Sequence, residues 1–381
     1  MYITSIKRNV VHRQLSLVDE LFEDLNPVIQ SNYIETKTVV ANCELRNSHN
    51  YESTIYYLKS KIERFNDTHQ LNEMYTQFKI PKHTGGMRTI DAPNEELKGF
   101  MREISNEVQR KLKLVPHNSA YAYVKNRSVI DAVKVHQENK SRWFLKIDLK
   151  DFFGSCSKEF IVKQLSKIYP FAAGIEYEND LSASVTKMFL DELTTLSCLD
   201  NKLPQGTPMS PWLTNLVMVE FDYKITRMLN NIYNKGLPKQ RYVYTRYADD
   251  ILISAKEKFN YEIVIDEIEK LFINTPLTIK TEKTRFGSSS GRNWNLGIMY
   301  NKDGELTVGH KKKRLIKDNI YYFIKFKDNF SLDECQWLQG NIAWIQAVEP
   351  AYVEGLLKYY KDKFNVDVLT ELTDKIKSFN N

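Results

Sequence analysis

The feature that most constrains this chain is the tetrapeptide Tyr247-Ala248-Asp249-Asp250, set between two apolar runs. Arg241-Tyr-Val-Tyr-Thr-Arg-Tyr-Ala248 and Asp250-Ile-Leu-Ile-Ser-Ala255 read as two strands flanking a tight turn. Adjacent carboxylates repel, and burying them is costly unless a cation is present. A third acid, Asp148, ends another apolar run, Arg142-Trp-Phe-Leu-Lys-Ile-Asp148. Strand ends fix their backbones and aim such side chains at a common point. Convergent carboxylates holding magnesium suit phosphoryl transfer. One ion lowers the pKa of an attacking hydroxyl, and the other holds a triphosphate and stabilises the leaving pyrophosphate. The plain alternative is a hairpin turn, where Asp is common. The rest of the sequence decides between them.

Residues 76–93 read as a hairpin: Phe78-Lys-Ile-Pro81, a Thr84-Gly-Gly86 turn, then Met87-Arg-Thr-Ile-Asp-Ala-Pro93. Helices are expected over residues 94–112, over 157–168 with Ser157 as cap, over 208–229 as one long helix, and over 261–272. A second hairpin is expected at 296–309 around Asn301-Lys-Asp-Gly304. Before residue 75 the chain is polar with helical patterning, as in Leu15, Val18, Leu21 and Phe22, and its last 70 or so residues are helical in pattern. The order is α+β followed by an all-helical tail.

Composition narrows the class. With 381 residues, 42% apolar and 27% charged, the chain reads as soluble and globular, with room for two or three domains. No apolar run is long enough to cross a bilayer and the start has no signal-peptide core, so the cytoplasm is the expected compartment and no membrane partner is expected. Cys43, Cys156, Cys198 and Cys335 have no C-x-x-C spacing and read as scattered thiols. The net charge of +6 is mild, but Lys311, Lys312, Lys313, Arg314 and Lys317 crowd one segment that suits a phosphate backbone.

From about Phe78 to Tyr360 the order and wording of the motifs resemble bacterial reverse transcriptases, as found in retrons, group II introns and phage-defence systems. Ile80-Pro-Lys-His-Thr-Gly-Gly-Met-Arg88 resembles the fingers motif whose basic residues grip the triphosphate, here Lys82 and Arg88. Ala120-Tyr-Ala-Tyr-Val-Lys-Asn-Arg127 resembles a template-guiding motif, with Lys125 and Arg127 toward phosphates. Asp148-Leu-Lys-Asp-Phe-Phe153 resembles the first acidic palm motif. The resemblance implies Asp148, Asp249 and Asp250 as catalytic and metal-binding, with Leu149 in the metal set. It sets Asp151 and Phe152 along the nucleotide and Phe153 as the steric gate against a ribose 2′-hydroxyl. Leu203-Pro-Gln-Gly-Thr-Pro-Met-Ser-Pro211 resembles the Leu-Pro-Gln-Gly-x-x-x-Ser-Pro motif almost letter for letter. It implies that Gln205 and Gly206 meet the incoming nucleotide. Lys283 is implied as the group that protonates pyrophosphate. Residues 295–310 resemble the primer grip, and the basic run from Lys311 to Lys317, with Tyr247, is assigned to nucleic acid.

The resemblance implies a right-hand polymerase. It has an N-terminal extension (1–75), fingers (76–147 with part of 157–200), a palm with primer-grip hairpin (148–309) and a helical thumb (310–381). It implies two Mg2+ ions, with Mn2+ as substitute, deoxynucleotides, a structured non-coding RNA as template and primer, and a cDNA product. A toxin or effector protein and a second copy of the chain are further expected partners. Retron enzymes carry Asn-Ala-x-x-His and Val-Thr-Gly motifs. Here Ala132-Val-Lys-Val-His136 keeps the His but not the Asn, and Asn295-Leu-Gly297 keeps only the Gly. These departures favour a defence-associated relative over a standard retron. The alternative function is a template-independent or protein-primed DNA polymerase. A non-catalytic RNA scaffold and a two-metal nuclease rank lower, since the acids and the Gln-Gly pair are intact.

Overall fold

The computed structural model describes residues 48–81, 85–172, 181–289, 295–301 and 303–379. The patterning around Leu15 and the basic Lys82 lie outside these residues. In chain order the elements are α1 (Ser48–Thr68), β1 (Tyr75–Pro81), β2 (Met87–Pro93), α2 (Glu95–Leu112), α3 (Val129–Glu138), β3 (Trp143–Asp148), α4 (Lys158–Leu165), α5 (Leu181–Ser197), α6 (Ser210–Val217) and α7 (Val219–Asn231). There follow β4 (Val243–Tyr247), β5 (Asp250–Ala255), α8 (Tyr261–Phe272), β6 (Arg285–Ser288), β7 (Met299–Tyr300), β8 (Leu306–Thr307), α9 (Gly309–Lys325), α10 (Leu332–Val348), α11 (Pro350–Phe364) and α12 (Val368–Ser378).

These elements divide into two compact units. The first holds the described residues of Met1–Lys125, Asp148–Lys235 and Glu262–Lys280; the second holds Asn126–Ile147, Gly236–Tyr261 and Thr281–Asn381.

The first unit is mainly helical. Ile55, Leu58 and Ile62 of α1 recur at helical spacing and are buried where α1 lies against α5 and α2. Asn66 Nδ2 ties the end of α1 to Glu192 Oε2 at 2.7 Å. Helix α2 starts one residue later than expected, where Asn94 Oδ1 accepts from Leu97 N at 2.9 Å as a cap, and buries Leu97, Met101, Ile104 and Val108. The expected long helix over 208–229 is broken at Met218. There the N–H of Met218 is shared between the carbonyls of Thr214 and Leu216, which tightens the turn and separates α6 from α7. The β1–β2 hairpin pairs Ile80 with Arg88 and Phe78 with Ile90.

The second unit is built on a four-stranded sheet in the order β4–β5–β3–β6. One apolar core runs from Val133, Phe144 and Leu252, through Ile298, Tyr300 and Val308 of the short hairpin, to Ile316, Leu338, Ile342, Val353 and Leu372 of the C-terminal helices. Each such side chain taken fully out of water contributes roughly 1.5–3 kcal/mol. Tyr300 Oη donates to Val133 O at 3.0 Å and pins the hairpin to α3. No described helix is long and apolar enough to cross a membrane.

Candidate active site

Strands β4 and β5 pair antiparallel with Tyr247 opposite Asp250, so Ala248 and Asp249 form a two-residue turn. Ala248 takes a positive φ of 56°. That conformation costs a side-chain-bearing residue about 1–2 kcal/mol, so the surroundings must hold it. Arg246 supplies part of that hold. It is fully buried, and its Nη1 donates to Ala248 O at 3.2 Å. A guanidinium beneath the turn also offsets the repulsion of the acids above it.

A second buried group grips both strands. His136 of α3 is wholly out of solvent, with Nδ1 2.6 Å from Ser254 Oγ on β5 and Nε2 2.7 Å from Thr245 Oγ1 on β4. The Ser254 hydroxyl donates onward to Ser141 Oγ at 2.7 Å, and Asn139 Nδ2 donates to the same oxygen at 2.9 Å. With the Ser254 proton committed there, Nδ1–H of His136 donates to Ser254 and Nε2 accepts from Thr245. Burial pushes the imidazole pKa down to about 3, so the ring stays neutral.

Strand β3 is buried except for Trp143 and Lys146, and it ends on Asp148. Arg142 N donates to Ala255 O at 2.9 Å, pairing the start of β3 with the end of β5. The strands are therefore antiparallel. Lys146 Nζ lies 3.0 Å from Asp250 Oδ1, yet that oxygen is buried with no donor aligned to it. The pair is held by charge rather than by a directed hydrogen bond. Among the described residues, no three His, Cys, Asp or Glu side chains come together in a group that could hold a metal ion. Asp250 is taken up by the Lys146 ammonium. A hard carboxylate oxygen removed from water and lacking a donor fits a magnesium-like ion.

In the first unit, Lys280 N donates to Asp148 O at 2.8 Å and Lys150 N to Thr278 O at 2.9 Å, bracketing the buried Leu149. Asp151 has a positive φ of 42°, and a Cβ on Gly154 would meet its Oδ2 at 2.2 Å, so only glycine lets that carboxylate fold back. Phe152 is a core residue at 3% exposure, whereas Phe153 is half-buried with its ring edge-on to Phe152. Gln205 O accepts from Asp91 N at 2.8 Å, joining the Gln-Gly turn to β2. Gly206 has φ +125°, and a Cβ there would come within 2.9 Å of Asp91 O and Ile90 Cγ2. Arg88, on the same strand, is exposed. Asn215 Nδ2 donates to Ala122 O at 2.7 Å and anchors the loop that presents the exposed Lys125.

In the second unit, Arg127 is half-buried and Lys283 is exposed in a short turn. Lys311, Arg314 and Lys317 are exposed on α9, and Arg314 sits 3.7 Å from Asp318. Lys312 stands over the Trp337 ring at 5.8 Å. Lys313 turns inward to an ion pair with Glu349 and lies 4.7 Å over the Tyr352 ring. Glu349 Oε1 also accepts from Val308 N at 2.8 Å, at the start of α9, so Lys313 belongs to the internal packing of these helices.

Three groups escaped the reading of the sequence as parts of the site: Arg246, His136 and Lys146. Lys146 had a signal. It stands two residues before Asp148 in a strand, and alternate strand residues share a face.

Comparison with known proteins gives the family. The profile of the reverse transcriptase (RNA-dependent DNA polymerase) family matches residues 80–322. The retron Ec73 reverse transcriptase of Escherichia coli is 31% identical over 287 residues, covering 74% of this chain and 85% of that one. The retron Ec83 reverse transcriptase of Escherichia coli is 28% identical over 295 residues, covering 75% and 86%. A solved telomerase from Candida albicans in complex with a fragment of telomeric RNA aligns at TM-score 0.42 and 11% identity, covering 80% of this chain and 60% of that one. On the family match and the retron likeness, the chain belongs to the reverse transcriptases, as a retron-type bacterial member and an RNA-directed DNA polymerase.

Proposed function

We propose that this polymerase copies a structured non-coding RNA into DNA within a retron or related anti-phage defence system. Asp148, Asp249 and Asp250, with the main chain of Leu149, would hold two magnesium ions, manganese substituting. The observation that carries this reading is the acidic turn. Its register sets Asp250 at the first position of β5, and its Oδ1 is buried without an aligned donor. When bound, divalent cations supply the charge and Lewis acidity that phosphoryl transfer needs.

The chain's own residues do the rest in this reading. Arg88, with Lys82, clamps the triphosphate; Asp151, Phe152, Gln205 and Gly206 seat the nucleotide; Lys283 gives up a proton to pyrophosphate. Tyr247, Lys125, Arg127, Lys311, Lys312, Arg314 and Lys317 face template and primer, whereas Lys313 acts through its contact with Glu349. Residues 76–147 with part of 157–200 serve as fingers, 148–309 as palm and 310–381 as thumb.

Sequencing the nucleic acid that co-purifies with the protein tests the reading. The expected result is cDNA complementary to a single RNA. Homopolymeric or random DNA attached to the protein would instead establish the protein-primed alternative. The half-buried Phe153 gives a narrower test of the DNA product. Phe153→Ala should lower discrimination against ribonucleotides by about 10- to 200-fold, the range set by small steric differences in a pocket. Unchanged sugar selectivity in single-nucleotide incorporation would remove the gate from Phe153.

A further inference from the structure

Side chains alternate along β3, so Lys146 and Asp148 share one face while Ile147, fully buried, points to the other. On the face it shares with Asp148, the Lys146 ammonium meets Asp250 across the neighbouring strand at 3.0 Å. Both side chains are about a quarter exposed, 27% for Lys146 and 25% for Asp250. The contact is close, yet the geometry at Asp250 Oδ1 satisfies no directed hydrogen bond. A lysine ammonium is a compact charge on a flexible four-carbon stem. It can neutralise a carboxylate from a range of positions and can leave without breaking a fitted network.

We infer that Lys146 is the resident counter-ion of the acidic turn, a positioning residue that holds Asp250 in the metal-free enzyme and gives it up when a divalent cation binds. The inference rests on the metal-binding reading of Asp250 and adds a competitor to it. An ammonium that neutralises the carboxylate weakens the site for a cation arriving alone. A cation that came with a nucleotide would be held by the triphosphate as well as by Asp250 and would compete with Lys146 more strongly. The site is thereby set to load its metal with substrate rather than before it.

The test uses the full chain without nucleotide or nucleic acid, and manganese as probe. Free Mn2+ is read by its electron paramagnetic resonance signal, and unfolding is followed in EDTA and in excess Mg2+. Lys146→Met and Lys146→Gln should each bind Mn2+ about tenfold more tightly than the parent, and Lys146→Arg should not; tenfold corresponds to ~1.4 kcal/mol. The two neutral variants should melt at lower temperature than the parent in EDTA, with the gap closing in Mg2+. Asp250→Asn should weaken Mn2+ binding and, combined with Lys146→Met, cancel the loss of stability in EDTA. If Asp250→Asn weakens Mn2+ binding while both neutral variants bind as the parent does, the counter-ion role is wrong and the metal site stands. If Asp250→Asn leaves Mn2+ binding unchanged, the metal reading itself falls and the inference falls with it.

Discussion

Changing Asp249 and Asp250 together to asparagine is expected to lower primer extension on an RNA template by about 10^3- to 10^4-fold while the protein stays folded. The magnitude follows from the role assigned to the carboxylates. Charge stabilisation by bound metal is worth several kcal/mol in the transition state, and each 1.36 kcal/mol is tenfold in rate. Asparagine keeps shape and hydrogen-bonding capacity but offers no negative charge. The turn should survive, because what holds it is main-chain pairing of Tyr247 with Asp250 and the Arg246 bond to Ala248 O, neither of which uses an acid side chain. Removing both acids relieves their mutual repulsion but takes the counter-charge from Lys146, so the melting temperature in EDTA should change little. A double variant that extends primers at more than a tenth of the parental rate would show that these carboxylates are not the catalysts. A variant that loses both activity and its folded signal would point to a structural role, which the intact turn geometry argues against.

Local signals in this chain were faithful wherever one residue type has one job. Ser157 caps α4, and Tyr261–Phe272 is a helix over the residues its pattern marks. The two strands around the acidic turn were legible from their apolar letters, and Gly206 from a motif whose glycine meets the backbone of Asp91. What stayed hidden depends on partners distant in sequence. The break at Met218 comes from a local tightening that periodicity does not register. Arg246 looks like a surface letter in a strand but is fully buried. The lean away from a standard retron rested on missing letters, yet the comparisons align the chain with retron enzymes over most of its length. The surviving letters are the structural ones. Ala132 and His136 share the buried face of α3, and Gly297 has φ +83°, which favours glycine. The residue before Ala132 is Asp131, which closes a capping box with Ser128, a job an acid performs well.

His136 should therefore carry a large share of the stability of the strands that bear the acids. Its replacement by alanine leaves a cavity and two buried hydroxyls, Thr245 Oγ1 and Ser254 Oγ, without their imidazole partner. The expected cost is about 3–5 kcal/mol, combining lost packing with unsatisfied polar groups. Denaturant unfolding at neutral pH measures it. The same side chain predicts a pH dependence with a definite sign. In the unfolded chain the imidazole takes up a proton near pH 6.5, whereas in the folded protein burial holds its pKa at about 3. Between those values the unfolded state binds the extra proton, so stability is full above about pH 6.5 and falls as the pH drops toward 3. The contribution is up to about 1.4 kcal/mol per pH unit, set by one proton. His136→Gln keeps hydrogen-bonding capacity and cannot titrate. Its stability should fall less steeply on acidification, by close to that slope between pH 6 and pH 4, while Lys146 and the acids are unchanged in both proteins. Parallel pH profiles for the parent and His136→Gln would mean that the imidazole is not held neutral in the fold. The clamp on Thr245 and Ser254 would then need another account.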